Sequence, residues 1–518
     1  MDVLNAMLGN YPGKDFIVQG FQFGFDLGFK GEDKDVSCRN NLSVRENPDV
    51  TREKIFSEIE KGRIAGPFPD PPFENFRCSP LALREKTTPG QYRLLHNLSS
   101  PYNDFGSVNA NIPDDLKKVT YDNIDTALQI LANRPFSFMA KSDIAEAFRL
   151  IPLHPVSYKW TGFLFENQYF YDKCLPMGAS SSCQIFESFS DALKFILLEQ
   201  YGVSNVVKVL DDFLFIADTE NDCREALDSF RSLCSLSGVP LSEPKTVDPT
   251  RKLVFLGYLI DLDCGTISIP LEKIHQYTEH CRRLMNQKHA KLREIRSIIG
   301  KLGFVTNIIP GGRCFLRRMH DLTKGQNDNN ALIKITKNAI LDLKVWVSFM
   351  ETYNGKAILT PRVSLTNEDL RFFSDSSKVG FGACFRNKYI QGKFPKKWEI
   401  PRRNIQFLEL YPIYIMVEIF ASQLSNKAIV FVTDNHALVG SLNKMSSKSK
   451  QVMKLLRPMV LVLMRNNILF SAEHIEGKLN VFCDKLSRFQ MPQELQSHPA
   501  DWERVPVPRH LRPSNLKA

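Results

Sequence analysis

The sequence predicts a multidomain chain of mixed α+β and α/β class, and three observations carry that prediction. From about Tyr92 to Ile260 short β-like runs alternate with helical patterns. From Leu271 to Gly325 the pattern becomes helical and basic. From about Thr366 to Phe489 the order is three strands, helix, strand, helices, strand and helix, which is a complete small mixed domain. With 518 residues, 43% of them hydrophobic and 24% charged, the chain has the profile of a folded protein and not of a disordered tail or a fibre.

The turn-rich stretch Gly62-Arg63-Ile64-Ala65-Gly66-Pro67-Phe68-Pro69-Asp70-Pro71-Pro72 marks the entrance to the first domain. Boundaries then read as an extension of unassigned role over 1–60, a mixed domain over 61–265, a basic helical block over 266–330, a connection over 331–365, a second mixed domain over 366–490 and a peripheral or partly disordered tail over 491–518. Phe136 to Ala140 is a strand leading into Asp143. Val206 to Ala217 is one apolar run broken only by Lys208 and the pair Asp211-Asp212, which suits two strands joined at the carboxylates. Within the helical block Ile295, Ile298, Ile299, Leu302 and Val305 recur at spacings of three and four. In the last domain strands are expected over Arg371–Asp375, Val379–Phe385, Tyr389–Phe394, Ala428–Thr433 and Ile468–Ala472. Helices are expected over Glu409–Ser422, His436–Asn467 and Val481–Arg488.

The formal charge is +10, from 67 Lys+Arg against 57 Asp+Glu, which points to an acidic partner such as nucleic acid. Leu271–Gly325 alone holds twelve Lys/Arg against four Asp/Glu, a local net of +8. Eleven cysteines occur singly with no C-x-x-C pair, so neither a zinc ligand set nor a disulfide framework is expected. No stretch approaches the roughly 18 uninterrupted apolar residues of a membrane span, and the first residues lack a signal peptide's order. A soluble intracellular protein, in cytoplasm or nucleus, with no membrane partner is the expectation.

Adjacent aspartates at the apex of an apolar hairpin repel unless a cation lies between them; a solvated turn is the plain alternative. Asp143 ends another apolar strand, and if that strand lies beside the hairpin three carboxylates meet at one sheet edge. Such a site suits a two-metal phosphoryl transfer. In the last domain Asp375 and Asp434 fall at strand ends, Glu409 at the start of a helix and Asp484 in the final helix, each beside apolar residues. Pro412 adds a geometric expectation. A helix carrying Glu409 is expected to start between Leu408 and Tyr411, so that the proline falls in the first turn, where a missing N–H costs little.

The segments SDIAEAFRLIPLHP, LPMGASSS at Leu175–Ser182, VLDDF at Val209–Phe213, the Gly238 to Lys245 stretch and FLGY at Phe255–Tyr258 resemble, in order, the polymerase motifs of reverse transcriptases. That resemblance implies a right-hand polymerase of fingers, palm and thumb. It implies that Asp143, Asp211 and Asp212 hold two magnesium ions, with manganese as the alternative. Phe148 falls at the family's steric gate, which favours deoxynucleotides, although a core aromatic is the simpler role. Met177 and Gly178 fall under the incoming nucleotide, Lys86 and Arg93 at the fingers cations that grip its phosphates, and Lys245 at the lysine that protonates departing pyrophosphate. Phe255, Leu256, Gly257 and Tyr258 resemble the primer grip, or form only a core strand. The basic block corresponds to a thumb, with Arg282, Arg283, Lys291, Arg317 and Arg318 as candidates for phosphate contacts along the duplex. Val209 departs from the family's usual tyrosine without removing a metal ligand.

The order Asp375, Glu409, Asp434, His474 and Asp484 on the βββαβαβα frame resembles ribonuclease H, over roughly Thr366 to Phe489. There the four acids hold two magnesium ions, and His474 sits on a mobile loop. The implied partners are an RNA template, a DNA primer, an RNA–DNA hybrid and deoxynucleoside triphosphates. The wording of GRIAGPFPDPP, DIAEAFRLIPLHP and LDDFLFIA further resembles retroelements of the DIRS and Ngaro kind, which use a tyrosine recombinase. A separate recombinase and a capsid-like protein are therefore further expected partners. A domesticated, catalytically silent nucleic-acid-binding protein is the alternative reading.

Overall fold

The structure is a computed structural model, and it describes residues 2–86, 90–102, 106–132, 134, 136–353, 357–358, 371–398, 404–425, 427–466 and 468–513. The expected boundary between 365 and 366 lies outside the described residues. The chain forms two compact units, Met1–Gly265 and Thr266–Ala518.

In the first unit the apolar run around the aspartate pair folds as expected into a hairpin, Val206–Val209 and Asp212–Ala217, with Leu210 at the turn in the left-handed region at φ 53°. Phe138–Asp143 pairs antiparallel with the second hairpin strand, and Val247–Thr250 completes a four-stranded sheet. Alternation sends Phe213 and Phe215 to one face and Leu214 and Ile216 to the other, and all four are buried. Helices Ser182–Glu199 and Glu220–Ser237 share a core with Phe213 and Phe215 through Phe186, Phe189, Leu193, Leu227 and Phe230, with Phe213 stacked on Phe230 at 4.5 Å. The second helix is bounded by local chemistry. Thr219 accepts from the Asp222 N–H, Glu220 and Asp222 complement the helix dipole, and Gly238 ends it in the left-handed region. Residues 1–60 are part of this unit: Leu4, Leu8, Ile17, Phe25 and Leu27 belong to the same core.

A five-stranded sheet runs Val36–Ser37, Arg77–Cys78, Gly162–Phe165, Gln168–Asp172, Ile64–Phe68, beside the hairpin Leu81–Glu85 and Tyr92–His96. A buried ionic chain ties these elements together. His96 Nδ1 lies 2.9 Å from Asp172, whose other oxygen accepts from Arg149 at 2.8 Å, and Arg149 also donates to Glu58. Burial pushes the Asp172 carboxyl up, but Arg149 and His96 outweigh it and hold it below the usual range. The carbonyl of His96 is where Gly178 is needed, since a Cβ there would stand 1.8 Å from that oxygen. The glycine therefore answers to the protein's own backbone.

The second unit opens with the expected helical block, Leu271–Met285 and Leu292–Val305, packed through Ile274, Cys281, Leu284, Ile295, Ile298 and Leu302. Helix Lys337–Tyr353 packs against the first of these. A six-stranded sheet follows in the order Leu469–His474, Ala428–Thr433, Arg371–Ser376, Gly380–Phe385, Lys388–Lys393, Glu503–Arg504. Gly380–Phe385 shows how its two faces are used. Phe381 and Phe385 pack on Tyr411 and Phe420 of helix Ile405–Phe420. Gly382, on the other face, admits helix Val481–Ser487 so closely that a Cβ would meet Leu486 at 2.4 Å. The segment Ile405–Leu424 is long and apolar enough to cross a membrane, but 72% of its most apolar stretch is buried within the unit, as in a core helix.

Two expectations are corrected here. Helix Ile405–Phe420 begins three residues before the expected window, capped by Asn404, which places Pro412 in its interior. The carbonyl left without a partner by a proline at this position is that of Leu408, and the Ser376 hydroxyl donates to it at 2.9 Å. The described part of the tail, residues 491–513, is also packed on the unit and not peripheral. Glu503–Arg504 adds a parallel strand, Trp502 stacks on Phe482 at 4.3 Å, and the buried Tyr411 hydroxyl donates to the Leu511 carbonyl at 2.6 Å.

Gly178→Ala is expected to destabilise the first unit by about 2–3 kcal/mol, because backbone must move. Gly300→Ala, in an open position of helix Leu292–Val305, is expected to stabilise the second unit by about 0.5–1 kcal/mol; thermal unfolding of the two variants checks both signs. His280 gives a pH test. It is buried beside Lys301, and burial first, then the charges of Lys301 and Arg283, push its imidazole down to about 4. The unfolded chain then takes up this proton near pH 6.5 and the folded chain only near 4, so the histidine's contribution is complete above 6.5 and lost as pH falls through that window. The melting temperature of His280→Gln is expected to fall less than that of the wild type between pH 6.5 and 4.

Candidate active sites

The first site is built by strand register. Asp212 and Asp143 are direct cross-strand partners, which puts their side chains on one face, and Asp211 precedes Asp212 at the turn. The Ile144 N–H donates to the Asp211 carbonyl at 3.0 Å, so the segment after Asp143 is bound to the turn itself. Burial and the neighbouring carboxylates Asp211 and Asp143 push the Asp212 carboxyl up to about 6, and burial followed by Asp143 raises Asp211. Lys245, in the 3₁₀ turn Glu243–Lys245, places its ammonium 2.8 and 2.9 Å from the two oxygens of Asp143. One lysine leaves the trio short of positive charge, and an oxygen-rich donor set of this kind fits a hard divalent cation.

The other residues singled out from sequence fall around this trio. Phe148 lies half-buried in the 3₁₀ turn Ala147–Leu150, its ring 5.3 Å from that of Phe186, and Arg149 locks that turn to Asp172 and Glu58. Met177 is 47% exposed. Asn109 holds the turn behind it by donating to the Gly178 carbonyl and accepting from the Ser180 N–H, both at 2.8 Å. Arg93 is exposed on the Tyr92–His96 strand directly opposite Arg84, and its charge reaches Asp211 and helps its ionisation. Lys86 is exposed just beyond the strand Leu81–Glu85, its N–H donating to the Gln91 carbonyl at 2.7 Å. Phe255 and Tyr258 are core residues of the hairpin Lys252–Phe255 and Tyr258–Asp261, and Leu256 and Gly257 form its tip, both at positive φ.

Of the basic candidates in the helical block, Arg282 pairs with Glu351 and Arg283 with Glu294 at the surface, Arg317 is partly buried and pairs with Asp321, and Lys291 is exposed. Arg318 differs in having a buried partner. Its guanidinium lies 2.7 Å from Oδ1 of buried Asp342, and Arg457 Nε lies 3.8 Å from the same oxygen. Despite both arginines, burial keeps the Asp342 carboxyl raised, at about 6, so Arg318 is committed to charge balance inside the unit.

The second site lies at the strand ends of the six-stranded sheet. Oxygens of Asp375, Glu409 and Asp434 all lie within 4.8 Å of one another, the one carboxylate triplet so close among the described residues. Glu409 is only 4% exposed. Burial, then Asp375 and Asp434, hold its carboxyl well above the usual range, and its Oε2 has no hydrogen-bond partner among the described residues. Burial also raises Asp375, with Asp434 and Asp484 adding to it against the Ser487 hydroxyl. An orphaned, buried carboxylate oxygen facing two more acids fits a divalent cation. Asp484 stands outside the tight triplet, held by Arg488 at 2.8 Å one helical turn on.

His474 is a further correction. It ends the strand Leu469–His474 instead of riding on a mobile loop, its Nε2 lies 3.1 Å from the Asp434 carbonyl, and its ring stacks on His436 at 3.5 Å and 6°. Sequence reasoning missed His436, Asn109 and Ser376. Only His436 carries a signal, two positions after a strand-end aspartate.

Residues 84–260 match the family model described as reverse transcriptase (RNA-dependent DNA polymerase). The chain is similar to a putative enzymatic polyprotein of Cassava vein mosaic virus, 23% identical over 68% of this chain and 53% of that protein. It is also similar to polyprotein P3 of Commelina yellow mottle virus, 24% identical over 67% of this chain and 18% of that protein, so it spans about half of the first relative and less than a fifth of the second. Among solved structures it shares its fold with the foamy viral protease-reverse transcriptase in complex with RNA/DNA hybrid, at TM-score 0.52 and 14% identity, covering 91% of this chain and 62% of that one. The same protein in complex with dsDNA matches at TM-score 0.50 and 16% identity, over 91% and 96%. Residues 84–260 are therefore similar to the reverse transcriptase domains of viral polyproteins, and the fold class is that of a right-hand polymerase followed by a ribonuclease H-like mixed-sheet domain.

Proposed function

We propose that the chain is an RNA- and DNA-templated DNA polymerase whose second mixed domain degrades the RNA strand of RNA–DNA hybrids, in the service of retrotransposon replication. The observation that carries the reading is the cross-strand register of Asp143 and Asp212 beside Asp211, on a segment that matches the reverse transcriptase family. The tight Asp375, Glu409 and Asp434 triplet supports the nuclease half.

Magnesium, two ions per site with manganese as the alternative, would be held by Asp143, Asp211 and Asp212 and by Asp375, Glu409, Asp434 and Asp484. Bound there, it supplies charge to activate the attacking oxygen and to stabilise the leaving one. The protein's own groups do the rest. Asp143 and Asp212 fix the donor geometry through the sheet, and Arg93 and Lys86 offer positive charge to a triphosphate. Lys245 is 61% exposed at its side chain, so it can turn from Asp143 to give a proton to departing pyrophosphate. The ring of Phe148 limits the space for a 2′-hydroxyl, and Met177 and Gly178 form the surface beneath the nucleotide. His474, its ring fixed by His436 and by the Asp434 carbonyl, presents Nδ1 to water or product. Leu256 and Gly257 offer the backbone of their tip to the primer, and Arg282, Arg283, Lys291 and Arg317 follow duplex phosphates.

The segment wording supports an element of the DIRS and Ngaro kind, with a tyrosine recombinase and a capsid-like protein supplied by other chains. The proposal includes an intracellular site of action, in cytoplasm or nucleus. A tyrosine recombinase in the adjoining reading frame is the observation that tests the element class.

Primer extension on an RNA template with deoxynucleotides and magnesium is expected for the wild type. It should fall by at least about a thousandfold in Asp211→Asn, the scale of losing preorganised charge at a phosphoryl-transfer site. Asp434→Asn should abolish hybrid cleavage and leave extension intact. Magnesium-dependent binding with neither activity would favour the catalytically silent protein instead. Template–primer affinity is expected to fall linearly in log–log form with salt, and Lys291→Gln to reduce that slope by about 0.9 for one lost phosphate contact. Arg318→Gln should leave the slope unchanged while lowering the melting temperature, since its guanidinium serves Asp342.

A further inference from the structure

The apolar strand Val206–Val209 contains one lysine, and that lysine is fully buried beneath the Leu210–Asp211 turn. Lys208 Nζ lies 2.6 Å from Glu187 Oε1 and 2.8 Å from Asp191 Oδ1. Glu187 is itself buried on the core face of helix Ser182–Glu199. Its second oxygen, Oε2, accepts the N–H of Leu210 at 3.0 Å, the residue whose left-handed backbone aims the two aspartates. On the other side of the turn the Asp211 carbonyl is taken by the Ile144 N–H, and Asp122 accepts from the Lys208 N–H at 3.1 Å and from Lys194 at 2.7 Å.

A buried ion pair rarely adds stability over an apolar pair of the same size, so its retention here calls for another account. The two oxygens of Glu187 divide their work: one neutralises Lys208, and the other fixes a backbone amide in a conformation that a leucine adopts only under constraint. We propose that Glu187 is a positioning residue for the polymerase reaction, holding the Leu210–Asp211 turn so that Asp211 and Asp212 keep the geometry the reaction needs, with Lys208 as the counter-charge that permits a carboxylate to be buried there. The inference rests on the polymerase reading for its kinetic consequence and on the fold alone for the anchoring.

Two double variants separate positioning from bulk stability. Glu187→Gln with Lys208→Met removes the ion pair but keeps a carbonyl oxygen for the Leu210 N–H; Asp191, 52% exposed at its side chain, stays solvated. Glu187→Leu with Lys208→Met fills the same space with no acceptor. Both are expected to melt near the wild type. In primer extension the first is expected within about threefold of wild-type kcat. The second should lose about 10- to 100-fold in kcat with the deoxynucleotide KM unchanged, the scale of a misplacement at the reacting centre. Hydrogen exchange supplies the readout that needs no activity: the Leu210 amide should stay protected in the glutamine variant and exchange faster in the leucine variant. Wild-type kcat in a folded leucine variant, equal loss in both variants, or identical protection at Leu210 would overturn the proposal. A wild type that extends no primer sinks the polymerase reading, and the exchange comparison still decides whether Glu187 anchors the turn.

Discussion

Both sites rest on one constraint: several carboxylates are held close together and partly out of water, where each makes the others harder to ionise. The fold imposes this by strand register in the first unit and by three converging elements in the second. The raised carboxyls of Asp211, Asp212, Asp375 and Glu409 express burial first and the neighbouring negative charge second. Lys245 offsets part of it at Asp143, and Arg488 holds Asp484 aside from the second triplet. What remains in each site is a cluster shaped for cations.

Much of this was legible in the sequence because the signals were local. The hairpin around Asp211-Asp212 follows from an apolar run too short for two helices, and the basic helices from spacings of three and four. The four acids of the last domain lie on the expected strands and helices, and three of them converge. The legible part ended where tertiary contacts decide. The start of helix Ile405–Phe420 was misplaced because the proline rule assumes an unpartnered carbonyl, and Ser376 supplies a partner from a strand thirty-two residues away. The tail read as peripheral from its prolines, yet a strand pairing and a tyrosine hydroxyl bind it to the sheet.

Roles proved harder to read than positions. Arg318 and Arg283 look alike in a basic helical block, and only the burial of the partner carboxylate, Asp342 against Glu294, distinguishes them. Gly178 carried the right residue type for a partly different reason, the approach of the His96 carbonyl. Lys208 was visible as the single cation in an apolar strand, but its meaning depends on a glutamate 21 residues earlier, on the preceding helix.

The bond from Ser376 to the Leu408 carbonyl has a wider consequence. Ser376 follows Asp375, and Leu408 precedes Glu409, so the joint forms between the immediate neighbours of two of the acids. Pro412 creates the vacancy and the serine hydroxyl answers it, which makes helix and strand slide-proof with respect to each other. A one-residue slip would cost both an unsatisfied carbonyl and the alignment of Asp375 with Glu409. Proline and serine thus behave as key and ward: the serine becomes dispensable only where Pro412 gives way to a residue with an N–H.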